Sequence, residues 1–152
     1  ICFKEEEVRE MGRSARGVRA IELEGDDEVA GVTTICGPEG DGCLLTVTGD
    51  GYAKRTPHGE YRCQGRAGKG LVDIKTDAGR TSLHRVGGDE EVIVTSEEGQ
   101  VTRTRVEEVS EIGRNTQGVI LMRLEGGDSI ADVAVVEGKT EGDDDPEDGE
   151  SE

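Results

Sequence analysis

Residues 6–13, Glu6-Glu7-Val8-Arg9-Glu10-Met11-Gly12-Arg13, return almost letter for letter as residues 107–114, Glu107-Glu108-Val109-Ser110-Glu111-Ile112-Gly113-Arg114. The offset is 101 residues, and it persists downstream: Gly118-Val119 matches Gly17-Val18, and Leu124-Glu125-Gly126 matches Leu23-Glu24-Gly25. A looser copy, Gln64-Gly65-Arg66-Ala67-Gly68-Lys69-Gly70, divides the interval into 53 residues (Gly12 to Gly65) and 48 (Gly65 to Gly113). A period of about fifty residues is the range of propeller blades and related arrays. Units of that size cannot bury their apolar faces alone, so the chain reads as part of a repeating assembly rather than as one compact enzyme.

The segments around the repeat read as strands. Leu44-Leu45-Thr46-Val47-Thr48, the turn cluster Gly49-Asp50-Gly51 and Tyr52-Ala53-Lys54-Arg55-Thr56 form one predicted hairpin. Val92-Ile93-Val94-Thr95, Ser96-Glu97-Glu98-Gly99 and Val101-Thr102-Arg103-Thr104-Arg105 form another. Each is a β-branched run, a Gly-containing turn and a second run of alternating character. A third strand is expected after each Gly-Arg turn, at 17–21, 70–74 and 118–122, and a fourth at 28–35, 81–86 and 129–136. Four strands per fifty residues is one blade, and no segment shows sustained helical periodicity. The fold class is therefore all-β, a β-propeller-like array of repeated four-stranded blades, incomplete in this chain. The expected divisions are a blade at 1–42 that lacks its first strand, a basic blade at 43–88, a blade at 89–138, and a disordered acidic tail at 139–152. Three blades cannot close a ring, so further blades are expected upstream of Ile1.

The formal charge of −17 on 152 residues is unevenly placed. Residues 1–42 carry 5 basic and 11 acidic side chains, 43–88 carry 8 and 4, 89–138 carry 4 and 12, and 139–152 carry 1 and 8. The middle unit is a basic island in an acidic chain. Arg outnumbers Lys 13 to 5, which, with abundant carboxylates and a lean apolar content, fits a protein that works in concentrated salt. The tail has nothing to bury, which is why disorder is expected there. The absence of an 18-residue apolar run and of a signal-like start points to a soluble, cytoplasmic protein.

Each copy carries Gly-Arg-x-x-(Arg, Lys or Gln)-Gly: Gly12 to Gly17, Gly65 to Gly70, and Gly113 to Gly118. Paired glycines turn a backbone tightly and expose its N–H groups, while Arg or Lys between them adds donors suited to phosphate oxygens. The same spacing also suits a purely structural turn whose Arg pairs with a neighbouring Glu. Recurrence on successive blades favours a binding rim. The cysteines, Cys2, Cys36, Cys43 and Cys63, form no Cys-x-x-Cys pair, and His58 and His84 have no ligand spacing to them, so no metal site is expected. Cys36 and Cys43 flank a Gly-rich loop and would suit a redox pair, though small buried strand residues are the favoured role. Gly138-Lys139-Thr140 fails as a P-loop because Val133 stands where the first Gly is needed.

Glu7 to Arg19, Leu44 to Thr48, Gly51-Tyr52-Ala53-Lys54-Arg55 and Tyr61-Arg62-Cys63-Gln64-Gly65-Arg66 together resemble the C-terminal domain family of DNA gyrase A, over residues 1 to about 138. The resemblance implies a β-pinwheel that wraps double-stranded DNA on a basic outer rim in support of ATP-dependent negative supercoiling. It implies a non-catalytic chain with no cofactor of its own. ATP and Mg²⁺ would be used by other parts of the holoenzyme, a heterotetramer of gyrase A and gyrase B, with no membrane partner. The rim it implies comprises Lys54, Arg55, Arg62, Arg66 and Lys69, extended by Arg13, Arg16, Arg19, Arg103, Arg105 and Arg114. One departure is clear: Gln64 to Gly70 lacks an Arg and a Gly of the family's defining box and reads as a later, degenerate copy. The alternatives are the related topoisomerase IV domain, or a propeller-type protein-interaction module whose Glu-Glu-Val strips bind a basic partner.

Overall fold

The computed structural model describes residues 1–35, 42–78 and 81–138; the expected acidic tail and Cys36 lie outside them. Among the described residues the regular elements are seven strands and three single-turn 3₁₀ helices, with no α-helix. The strands are β1 (Cys43–Thr48), β2 (Tyr52–Pro57), β3 (Thr81–Val86), β4 (Glu91–Ser96), β5 (Val101–Arg105), β6 (Val119–Ile120) and β7 (Ile130–Val136). The 3₁₀ turns, Glu5–Glu7, His58–Glu60 and Val106–Glu108, stand at the same place in each unit, just before the Gly-Arg motif.

Both predicted hairpins form. β1 pairs antiparallel with β2, Leu45 opposite Arg55, and β4 with β5, Ile93 opposite Arg103. The fourth-strand segments of units 2 and 3 also form, as β3 along β1 and β7 along β4. The third strand is where the structure departs from the expectation. Segment 118–122 yields only the two-residue β6, and β6 joins the edge of β2 in the preceding unit, Tyr52 opposite Ile120. The sheet order β3-β1-β2-β6 is therefore a four-stranded blade completed by its neighbour's chain, whereas β5-β4-β7 has three strands. Segment 70–74 makes only an isolated bridge, and to the following unit rather than the preceding one, Ile74 to Thr116.

In unit 1 neither 17–21 nor 28–35 is a strand. The reason is the ladder. β3 and β7 zip onto β1 and β4, and among the described residues no strand stands in that position for 28–35, so its N–H and C=O groups have no strand to meet. Val29 and Val32 are accordingly exposed, Val32 at 88%.

Stacking explains the burial pattern. Every residue of β1 is buried: Leu45 and Val47 pack in the core with Val92 and Val94, and Thr46 on the other face bonds Asp73. β4 instead alternates, with Val92, Val94 and Ser96 buried and Glu91, Ile93 and Thr95 half-buried, as a strand with one covered face must. Leu45, Val47, Ala53, Val86, Val92, Val94, Val106 and Val109 form one core with Met122, Ile130 and Val133. Full burial of a side chain such as Leu45 or Val94 contributes roughly 1.5–3 kcal/mol.

Candidate nucleic-acid interface

The second and third Gly-Arg turns lie at the seams between units and make the same contacts at each. The backbone N–H of Arg66 donates to Glu7 Oε2 at 2.8 Å, and that of Arg114 to Glu60 Oε2 at 3.2 Å. Both carboxylates come from the 3₁₀ turn of the preceding unit. The guanidinium groups then reach back to main-chain carbonyls: Arg66 to Arg19 O, and Arg114 to Val72 O at 2.9 Å. One residue further on, Ala67 N–H meets Ala20 O at 2.8 Å, and Asn115 N–H meets Asp73 O at 2.6 Å. Ala67 and Asn115 both hold positive φ, 66° and 56°, to make that turn. The last Gly of these two motifs completes the seam. A Cβ on Gly118, at φ +87, would lie 2.5 Å from Ala53 O, and one on Gly70, at φ +80, would lie 3.2 Å from Ile1.

Lys54 is the largest fully buried side chain. Its ammonium donates to Asp73 O at 2.8 Å and Gly113 O at 3.1 Å and pairs with Asp73 Oδ1 at 3.2 Å. Asp73 also accepts from Thr46 Oγ1 at 2.7 Å and from the Tyr61 hydroxyl. Burial and then the Asp73 hydrogen bond push the Tyr61 phenol up, so it stays a donor. Arg114 lies over the Tyr61 ring, 6.0 Å from its centroid, close enough for a cation–π contribution. This polar cluster fastens unit 2 to unit 3. It removes Lys54 from any rim, since all three donors of its ammonium are directed at protein oxygens.

The remaining expected rim residues fall into three groups. Arg55 is half-buried and directs Nε to Val109 O at 2.7 Å and an amino group to Glu107 O at 3.2 Å, so it works at the seam like Arg66 and Arg114. Lys69, Arg103 and Arg105 are exposed or half-exposed but paired with Glu24, Glu91 and Glu107. Arg13, Arg16, Arg19 and Arg62 are exposed, and their guanidinium groups meet no hydrogen-bond or ion-pair partner among the described residues. Arg85 and Arg123 are exposed as well. Charge alone could have found them, but neither lies in the repeated motif. Among the described residues no group of three or more His, Cys, Asp or Glu is placed to hold a metal ion.

The family described as DNA gyrase C-terminal domain, beta-propeller, matches residues 3–36, 44–79 and 90–137, one segment for each copy of the repeat. The chain belongs to this family. The DNA gyrase A protein of Haloquadratum walsbyi is 46% identical over 136 residues, covering 88% of this chain and 16% of that protein. The gyrase A protein of Thermotoga maritima is 46% identical over 140 residues, covering 90% and 17%. That of Escherichia coli is 43% identical over 126 residues, covering 81% and 14%. The chain therefore spans about a sixth of the length of these relatives. The same all-β fold is found in a solved DNA gyrase A C-terminal domain, with TM-score 0.68 and 23% identity over 88% of this chain and 45% of that one. A topoisomerase IV C-terminal domain follows, with TM-score 0.66 and 23% identity over 80% and 38%. In this gyrase family domain the Gly-Arg motif thus has a job before any ligand arrives: it sets how successive blades meet. No helix among the described residues is long and apolar enough to cross a membrane.

Proposed function

We propose that this gyrase-family domain binds double-stranded DNA without sequence preference and wraps it, as a cytoplasmic, non-catalytic part of an ATP- and Mg²⁺-dependent type II topoisomerase formed with the remainder of gyrase A and with gyrase B. Family membership supplies the context. The observation that carries the reading is the set of exposed arginines, Arg13, Arg16, Arg19 and Arg62, whose guanidinium groups have no protein partner among the described residues. Lys69, Arg103 and Arg105 extend the set, because exposed ion pairs contribute only about 0–1 kcal/mol and are readily exchanged for phosphate.

The acidic excess does not forbid this. At about 1 M salt the Debye length is about 3 Å, so carboxylates more than one side chain away barely repel DNA. The same salt weakens counterion release, so many direct contacts must offset a bending cost of roughly 1–6 kcal/mol per 20–30 bp. Arg55, Arg66 and Arg114 enter this picture through the seams, by fixing the angle at which each blade presents its surface.

The test is the salt dependence of binding to a linear duplex, followed by fluorescence anisotropy. Replacing Arg13, Arg16, Arg19 and Arg62 together by Ala should lower the slope of log K against log salt by about three to four, near 0.9 for each phosphate no longer neutralised, with an unchanged circular dichroism spectrum. An unchanged slope overturns the assignment.

A further inference from the structure

Cys2 and Cys63 face one another across the seam between units 1 and 2. They form an isolated parallel bridge, closed by the Gln64 N–H donating to Cys2 O at 2.8 Å. Bridge partners lie about 4.7–4.9 Å apart, inside the roughly 4.4–6.8 Å between Cα atoms that a disulfide spans. The two thiols already interact: burial and then the neighbouring Cys63 thiol push the Cys2 thiol up. Both are reduced in this structure, Cys63 exposed and Cys2 half-buried. At the next seam the equivalent bridge joins Arg55 to Glu111, with Ile112 N–H on Arg55 O at 2.8 Å. One seam thus carries an arginine and a carboxylate where the other carries two thiols, in the same backbone frame.

We propose that Cys2 and Cys63 form a dithiol site that reacts with low-molecular-weight disulfides and closes to a disulfide locking unit 1 onto unit 2. Cys63, the more exposed, attacks as thiolate one sulfur of RS–SR, forming a mixed disulfide and releasing RS⁻. The Cys2 thiolate then attacks the Cys63 sulfur and releases the second RS⁻. Two cysteine thiols lose two electrons to one external disulfide, and their two protons pass to the two released thiolates. The bond encloses residues 3–62, which contain nearly all of unit 1, the unit that has no strand ladder among its described residues. Covalent closure therefore acts where the non-covalent hold is weakest, because it removes open conformations from the unfolded and partly unfolded chain.

The full chain incubated with oxidised glutathione, then digested and mapped without reduction, decides the matter. The Cys2 and Cys63 peptides are expected joined, lighter by two hydrogens than the separate thiols, and parted by dithiothreitol. The oxidised chain should also unfold at higher urea than the reduced one. Cys2→Ser should leave a glutathione adduct on Cys63 and no gain in urea midpoint, while Cys63→Ser should abolish both the link and the gain. Linkage of Cys63 to Cys36 or Cys43, or a lasting glutathione adduct on Cys63 in the unsubstituted chain, overturns the proposal.

Discussion

Lys54 illustrates how one residue's surroundings decide its role. A lysine in a strand of an acidic chain would ordinarily sit on the surface with its head in water. Here it is fully buried, because Asp73 Oδ1, Asp73 O and Gly113 O converge on its ammonium. Removing one partner of a buried pair leaves the other charge uncompensated, typically at about 3–5 kcal/mol. Asp73 keeps 26% of its side-chain surface in solvent and retains Thr46 and Tyr61 as donors. Lys54→Ala should therefore destabilise by about 3 kcal/mol in urea unfolding, the low end of that range. DNA affinity, measured on the folded fraction, should stay within about twofold, since no phosphate can reach this ammonium. A large affinity loss with little loss of stability would instead place Lys54 at the surface.

At the scale of turns and strands, the two glycines of the Gly-Arg motif are not equivalent. A Cβ on Gly65 would meet nothing within 4 Å, whereas one on Gly118 would press on Ala53 O at 2.5 Å with φ already at +87. Gly65→Ala should be neutral within about 0.5 kcal/mol. Gly118→Ala should cost about 3 kcal/mol or more, combining left-handed strain with displacement of the β2 backbone; thermal unfolding of the two variants compares them directly. The turn between β3 and β4 gives a pH-dependent case. Burial would raise the Glu90 carboxyl, but the N–H groups of Gly88 and Gly87 outweigh it and hold it below the usual carboxylate range. A folded-state value below the unfolded one means the stabilisation is present above the ordinary Glu range and is lost as pH falls through the lowered value. Glu90→Gln should flatten the acid limb of a urea-midpoint profile without altering the shape of its neutral region. The hairpins were legible because a β-branched run, a Gly turn and a second run are all local signals, and Val92-Ile93-Val94 contains its own answer. The seams were not legible. Tyr52 meets Ile120, and Arg114 meets Val72, at separations that composition cannot reveal. The Gly-Arg repeat was visible, but its spacing fits a phosphate cradle and a blade lock equally well, and only the placement of Glu7 and Glu60 separates them.

For the molecule as a whole, stability should be distributed as in a linear array, each unit coupled only to its neighbours. Among its described residues unit 1 has no ladder, and it is held by seam bonds such as Glu22 N–H to Gly68 O at 3.0 Å, Gln64 N–H to Cys2 O and Ala67 N–H to Ala20 O. β1 and β4 are each paired on both edges and carry the core. Hydrogen exchange should therefore find the seam amides of units 1 and 2 opening at low free energy and the amides of β1 and β4 near the global limit. Arg66→Ala sharpens the test, because Arg66 binds Glu7 O at 3.3 Å and Arg19 O, both in unit 1. Removing exposed hydrogen bonds of this kind costs about 1 kcal/mol. Exchange at Glu22, Gln64 and Ala67 should then quicken by about fivefold, since about 1 kcal/mol corresponds to that ratio at room temperature. The amides pairing β4 with β5 and β7 should be unchanged. Uniform acceleration across all three units would mean that the blades open together, and the nearest-neighbour picture would fail.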